Sequence, residues 1–362
     1  MHRICWLVVA AVALLLIQSA EAAGRHRYTM LVDIDGSSIE GTPLAWSKQS
    51  VFLLARDGRL WEFPPSRATN FRKISSSFVS FSAAEVRAAL ERELDGRLEV
   101  TGTGHYLVAH PLGKGPFWAN RFEELYRSCV NYFNRRGLRV RDPEFPLVAI
   151  VWPRREDFVH YAASQGSNVR GDILGFYSPV SNRVTLYDQG GSGAGGSAWR
   201  QNEATIIHEA THQMAFNTGV HNRFTTTPKW IAEGLGTMFE APGVWNWRAY
   251  PRRDARINHD RLMQFQQWRK TGRKSGAFVQ LLGSDRLFDS NPAAAYAESW
   301  AWVFFLTEVY PRKFGEYVQR TANRPDFVDY PMTRRIADFT AVFGNDMRML
   351  ESHFLRFIDG LR

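Results

Sequence analysis

The pentapeptide His208-Glu209-Ala210-Thr211-His212 brings together two imidazoles and a carboxylate at a spacing that can do chemistry. A helix turns about 100° per residue, so positions four apart lie nearly above one another and can grip one ion. Glu209 flanks that pair, badly placed as a third ligand and well placed to take a proton from a water on the ion. This is the chemistry of a hydrolytic zinc site. Two histidines satisfied by ordinary hydrogen bonds are the alternative, so the surrounding residues must decide. The helix carrying the motif is expected from about Trp199 to Asn217, ending at Thr218-Gly219.

Zinc hydrolases normally use three protein ligands and leave a fourth position for water. The short metzincin continuation needs Gly at 215 and His at 218, whereas this chain has Ala215 and Thr218. Further on, Thr227-Pro228 predicts a helix start, with a good N-cap followed by Pro at the first helical position. Between Trp230 and Glu240, Ile231, Leu235 and Met238 share one side, while Glu233, Thr237 and Glu240 share the other. Gly234 and Gly236 each cost roughly 1 kcal/mol of helix preference, which suggests a close approach to the first helix. Glu233 is therefore the expected third ligand, with an exposed helical carboxylate as the alternative. Thr237 and Glu240 face the right way to hold the far nitrogens of the histidines, surface exposure being equally open.

This constellation resembles the gluzincin branch of the zincin metallopeptidases, in which His-Glu-x-x-His is followed by a Glu ligand on the next helix. The fuller context, with Gln213, Phe216-Asn217-Thr218-Gly219 and Trp230-Ile231-Ala232-Glu233-Gly234-Leu235, looks like a bacterial family of exported, uncharacterised peptidase-like proteins. The resemblance covers roughly residues 82–320. It implies an α+β, zincin-like catalytic domain: an α/β N-terminal half with an edge strand above the metal, then a helical half. It also implies Zn2+ on His208, His212 and Glu233, Glu209 as general base, and a Tyr or His from the helical half as oxyanion donor. Tyr296, opening an apolar helix through Trp302 to Leu306, is assigned that catalytic role; a plain core aromatic is the alternative, and His221 is the rival donor. The aminopeptidase signature Gly-x-Met-Glu-Asn is absent, the corresponding stretch ending Gln201-Asn202-Glu203, so an endopeptidase is expected. Arg183–Tyr187 is the candidate for the edge strand that pairs with a peptide or protein substrate, an ordinary internal strand being as open. A non-catalytic, zinc-stabilised binding or cell-wall-associated protein on the same fold is the alternative function.

Positioning such a site falls to a chain read in three parts. Residues 1–22, with Arg3, an apolar run and Ala20-Glu21-Ala22, have the pattern of a secretory signal cleaved near Ala22, an uncleaved anchor being the alternative. Residues 23–81 read as a small β-rich module with turns at Asp35-Gly36, Asp57-Gly58 and Pro64-Pro65, including a hairpin over Phe52–Phe63. Residues 82–362 form the catalytic domain, 82–219 being the α/β half and 220–362 the helical half. Ser82 and Glu85 predict a capping box, Leu147–Trp152 a buried strand, and Arg183–Tyr187 a strand with one open face. Gly190–Gly196 lacks a phosphate-loop ending and reads as a flexible connection or a lid.

A secreted or periplasmic location follows from the signal. Cys5 lies inside it, leaving Cys129 with no intramolecular partner, so the fold must rely on its core. A formal charge of +9 and a pI near 9.7 favour anionic partners such as wall or surface polymers, through the basic run Arg248 to Lys274 or, equally, a solvated helical face. No nucleic-acid module accompanies the charge and no second apolar segment is long enough to span a membrane. These motifs leave the oligomeric state open.

Overall fold

In the computed structural model, the described residues are 27–138, 140–167, 169, 173–188 and 197–361. The signal pattern and the glycine-rich stretch Gly190–Gly196 lie outside them. The chain is mixed α+β, with sheets in its N-terminal half and helices throughout its C-terminal half, and it divides into two compact units.

The first unit comprises the described residues up to Glu93 with Glu144–Pro146 and Ser178–Asn182. Its strands β1 (Thr29–Ile34), β2 (Ser37–Trp46), β3 (Val51–Ala55), β4 (Leu60–Phe63) and β5 (Ala68–Ser75) form one antiparallel sheet in the order β4-β3-β2-β1-β5. Asp35-Gly36 closes the first hairpin with both residues at positive φ, 48° and 83°, as a tight two-residue turn demands. The predicted hairpin around Asp57-Gly58 is the β3–β4 pair. Val32, Ile34, Val51, Leu53 and Phe63 make its core. Helix α1 (Ala83–Leu94) opens on the predicted capping box: Glu85 accepts from the Ser82 N–H at 2.7 Å, and the Ser82 hydroxyl accepts from the Glu85 N–H at 3.3 Å.

The second unit carries the chemistry. Strands β6 (Glu99–Gly102), β7 (Tyr106–His110), β8 (Leu147–Trp152), β9 (Gly175–Ser178) and β10 (Arg183–Tyr187) form a sheet in the order β6-β7-β8-β10-β9. Strand β8 lies parallel to both β7 and β10, and every residue of β7 and β8 is buried, as parallel strands covered on both faces require. The structure corrects two expectations for Arg183–Tyr187. It is an internal strand, and the sheet edge belongs to β9. Nor does it have an open face: Arg183 is buried and donates to the Tyr161 hydroxyl at 2.8 Å, so its polar alternation is satisfied internally.

Helices α2 (Phe117–Arg135) and α3 (Arg155–Ser164) belong to the sheet-bearing part of this unit. There follow α4 (Ser197–Asn217), α5 (Lys229–Phe239), the short α6 (Pro242–Trp245), α7 (His259–Thr271), α8 (Ala277–Gly283), α9 (Arg286–Ser290), α10 (Pro292–Val309), α11 (Pro311–Ala322), α12 (Met332–Phe343) and α13 (Met347–Asp359). Helix α10 is buried almost all round, through Trp300, Trp302, Val303, Phe304 and Phe305, and forms the centre of the helical half. Among the described residues no helix is long and apolar enough to cross a membrane.

Candidate metal centre

Helix α4 buries Ile207, Ala210 and Met214 on one stripe and turns His208 and His212 to another. Helix α5 crosses close by because its glycines allow it. A Cβ on Gly236 would meet ring atoms of His208 at 2.7–2.9 Å, and one on Gly234 would meet Val303 and the Ser299 carbonyl of α10 at 2.5 and 2.6 Å. The helix preference these glycines forgo is exchanged for contact with a ligand on one side and with the core on the other.

Helix α5 differs from expectation at its start. It begins at Lys229, Pro228 is its N-cap residue, and no side chain there caps it. Asp285, far along the chain, accepts from the Lys229 N–H at 3.1 Å and is itself gripped by both guanidinium nitrogens of Arg335, at 2.9 and 3.0 Å. The anchor is a long-range one.

His208, His212 and Glu233 come together, their ligand atoms all within 4.8 Å of one another. Nε2 of His208 lies 3.0 Å from Nε2 of His212 and 3.2 Å from Oε2 of Glu233, which is 3.5 Å from Nε2 of His212. The other ring nitrogen of His208 meets Oε1 of Glu240 at 2.8 Å. A carboxylate there fixes the hydrogen on Nδ1 and leaves a lone pair on Nε2. Three acceptor atoms thus converge on one point, where only a cation, whether proton or metal ion, turns repulsion into attraction. Two imidazoles and a carboxylate are also a donor set suited to a divalent transition metal, so the residues fit the group that the sequence implies.

The electrostatics express the same convergence. Burial opposes a charge on His208, but its bonds to Glu233 and Glu240 outweigh burial and hold its pKa well above the ordinary histidine range. Burial likewise pushes Glu233 up, yet His212 and His208 hold it well below the ordinary carboxylate range. For Glu209 burial dominates and its pKa is raised, despite both imidazoles. One Glu209 oxygen, Oε2, accepts from the Tyr177 N–H at 2.7 Å. Tyr177 lies on β9, so the true edge strand touches the flanking carboxylate.

Tyr296 of α10 reaches the centre: its ring is 6.4 Å from that of His208 and its hydroxyl feels the Glu233 carboxylate. Burial first, then Glu233 and Glu209, raise its pKa, so the phenol keeps its hydrogen. His221 packs its ring 5.1 Å from Phe216, fully buried, with neither ring nitrogen partnered among the described residues. Burial pushes its pKa down to about 3. Of the two residues expected behind the histidines, Glu240 takes that place and Thr237 does not. The Thr237 hydroxyl donates back to the Glu233 carbonyl at 2.7 Å within its own helix. Asn258, just ahead of α7, was not singled out by sequence; its amide donates to Oε2 of Glu240 at 2.9 Å.

Residues 202–328 match the family described as a protein of unknown function (DUF1570). The matched span holds every residue of the centre, from His208 through Glu233, Glu240 and Asn258 to Tyr296. No curated protein matches the chain.

Four of the nine arginines and lysines between Arg248 and Lys274 are paired with carboxylates. Arg252 pairs with Asp254, Arg256 with Glu308, Arg269 with Asp359, and Arg273 with Glu298 and Glu351. Formal charge in that stretch overstates what is offered to an anionic partner.

Proposed function

We propose that the chain is an exported, zinc-dependent metallopeptidase of gluzincin type with a zincin-like fold, acting as an endopeptidase in a secreted or periplasmic setting. The observation that carries this reading is the convergence of His208 Nε2, His212 Nε2 and Glu233 Oε2 beside Glu209. Zinc held by those three residues would supply Lewis acidity, acidifying water and polarising a scissile carbonyl. Glu209, with Oε2 fixed by the Tyr177 N–H, has its second oxygen free to take a proton from the attacking water and return it to the leaving amine. The Tyr296 hydroxyl, protonated and beside Glu233, is the donor for the developing oxyanion. Strand β9, at the edge of its sheet and adjacent to Glu209, offers backbone groups on which an extended peptide can add as a further strand.

The test is direct. Purified protein is expected to bind one zinc per chain and cleave members of a broad peptide library, and Glu209→Gln to keep the zinc and lose roughly 10²–10⁴-fold in kcat. Stoichiometric zinc without cleavage would favour a zinc-stabilised binding protein on the same fold. Cleavage untouched by Glu209→Gln would remove Glu209 from the chemistry.

A further inference from the structure

We infer that Asn258 is a positioning residue for the metal centre, setting the tautomer and ring orientation of His208 through Glu240. The inference rests on the metal reading above and adds a residue from a third helix to it.

Asn258 occupies the N-cap of α7, where its Oδ1 accepts from the Arg261 N–H at 3.2 Å. Asp and Ser fill an N-cap about as well as Asn, so capping alone does not select an amide. The amide does something neither of those can: its Nδ2 donates to the Thr237 carbonyl at 3.0 Å and to Oε2 of Glu240 at 2.9 Å. One acceptor and two donor bonds use both ends of the side chain and fix which way the amide points.

Glu240 has particular need of that donor. It sits at the C-cap of α5, the end of a helix that disfavours negative charge, and is about four-fifths withdrawn from water, with its side chain 19% exposed. Donors on each oxygen compensate: Asn258 on Oε2 and the His208 Nδ1–H on Oε1. With Oε2 tethered to α7, Oε1 is presented to His208 in one direction. Gly236 lies so close to the imidazole that a methyl there would collide with it, and the Nε2 of the ring faces His212 and Glu233. The connection runs from the cap of α7 to Glu240, to Nδ1, to the lone pair on Nε2.

Two substitutions separate the cap from the tether. Asn258→Asp and Asn258→Ser each keep an oxygen for the Arg261 N–H and delete the donors to Glu240 and Thr237; the serine does so without adding a charge. In the full chain, zinc affinity is measured by competition with a chromophoric chelator, and the bond from the His208 Nδ1–H to Glu240 by ¹H–¹⁵N NMR of the metal-free protein. Both variants are expected to retain wild-type helicity and to bind zinc about 10–100-fold more weakly. The His208 ring is expected to lose the downfield signature of an Nδ1–H held by Glu240. Zinc affinity within twofold of wild type in a folded variant, with the signature unchanged, would overturn the inference. If the wild type binds no zinc, the metal reading fails, and the Nδ1–H resonance of His208 in Asn258→Ser then decides the positioning role alone: a shift supports it and an unchanged resonance removes it.

Discussion

Two clusters of buried polar side chains lie in the helical half, and they are built on opposite rules. Around Glu298 both carboxylate oxygens face donors. Arg273 donates from Nε to both carboxylate oxygens at 2.9 and 3.0 Å, Trp268 donates at 3.0 Å and Trp302 at 3.2 Å, and Arg273 also pairs with Glu351 at 2.7 Å. Phe265 and Phe354 cover the guanidinium. Around His208 the outer atoms are matched in the same way, but the inner ones are acceptors turned toward one another. Closure marks a cluster that holds the fold together, and convergence of like atoms marks one that holds something else. A third arrangement is His221, buried with neither condition met.

The contrast predicts unequal responses to mutation. The largest is expected for Glu298→Ala, which removes one of the two carboxylates facing the nearly inaccessible Arg273 charge, together with the acceptor for Trp268 and Trp302, and should destabilise the protein by about 3 kcal/mol in denaturant unfolding. A loss below about 1 kcal/mol would mean that closure is not what it contributes.

Next comes acid. With a folded-state pKa near 3 against the ordinary 6.5, His221 binds fewer protons folded than unfolded across that interval. Its stabilising contribution is therefore complete above about pH 6.5 and is lost as pH falls toward 3, by up to about 1.4 kcal/mol per pH unit. His221→Phe is expected to flatten that slope in unfolding curves taken from pH 7 to pH 4, and an unaltered slope would assign acid sensitivity elsewhere.

Gly236→Ala gains roughly 1 kcal/mol of helix preference and drives a methyl into the His208 ring, an overpacking expected to cost about 1–3 kcal/mol. The informative quantity is the zinc-induced rise in Tm, which should shrink even where metal-free stability changes little. Smallest of all, His212→Ala should alter metal-free stability by under about 1 kcal/mol, since it leaves the His208–Glu233 pair in place, while abolishing the zinc-induced rise in Tm. If it destabilises the metal-free chain as much as Glu298→Ala does, the two clusters obey the same rule after all.

Much of the centre is legible in sequence because helical spacing converts directly into a face. His208 and His212 are one turn apart, and Glu233 and Glu240 lie on the side of α5 opposite Ile231 and Leu235. The cap at Ser82 and the turns at Asp35-Gly36 and Asp57-Gly58 are legible for the same local reason. What was not legible depends on partners distant in the chain. The alternation in Arg183–Tyr187 carries no information about which strands flank it, and the edge falls to β9. Nothing near Asn258 in the sequence announces Glu240. Thr237 shares a face with Glu233 but turns its hydroxyl back to the helix, a choice of rotamer that periodicity does not encode.

The anchor of α5 bears on the order in which the protein is assembled. Lys229 is capped by Asp285, 56 residues later, and Asp285 is clasped by Arg335 a further 50 residues on. A growing chain carries both histidines and Glu233 well before the arginine that steadies the Glu233 helix has been made. For the exported hydrolase proposed above, that delay is a safeguard: the arginine that completes the clamp lies about a hundred residues beyond Glu233, so the helix that carries this ligand gains its anchor only after a long further stretch has been made.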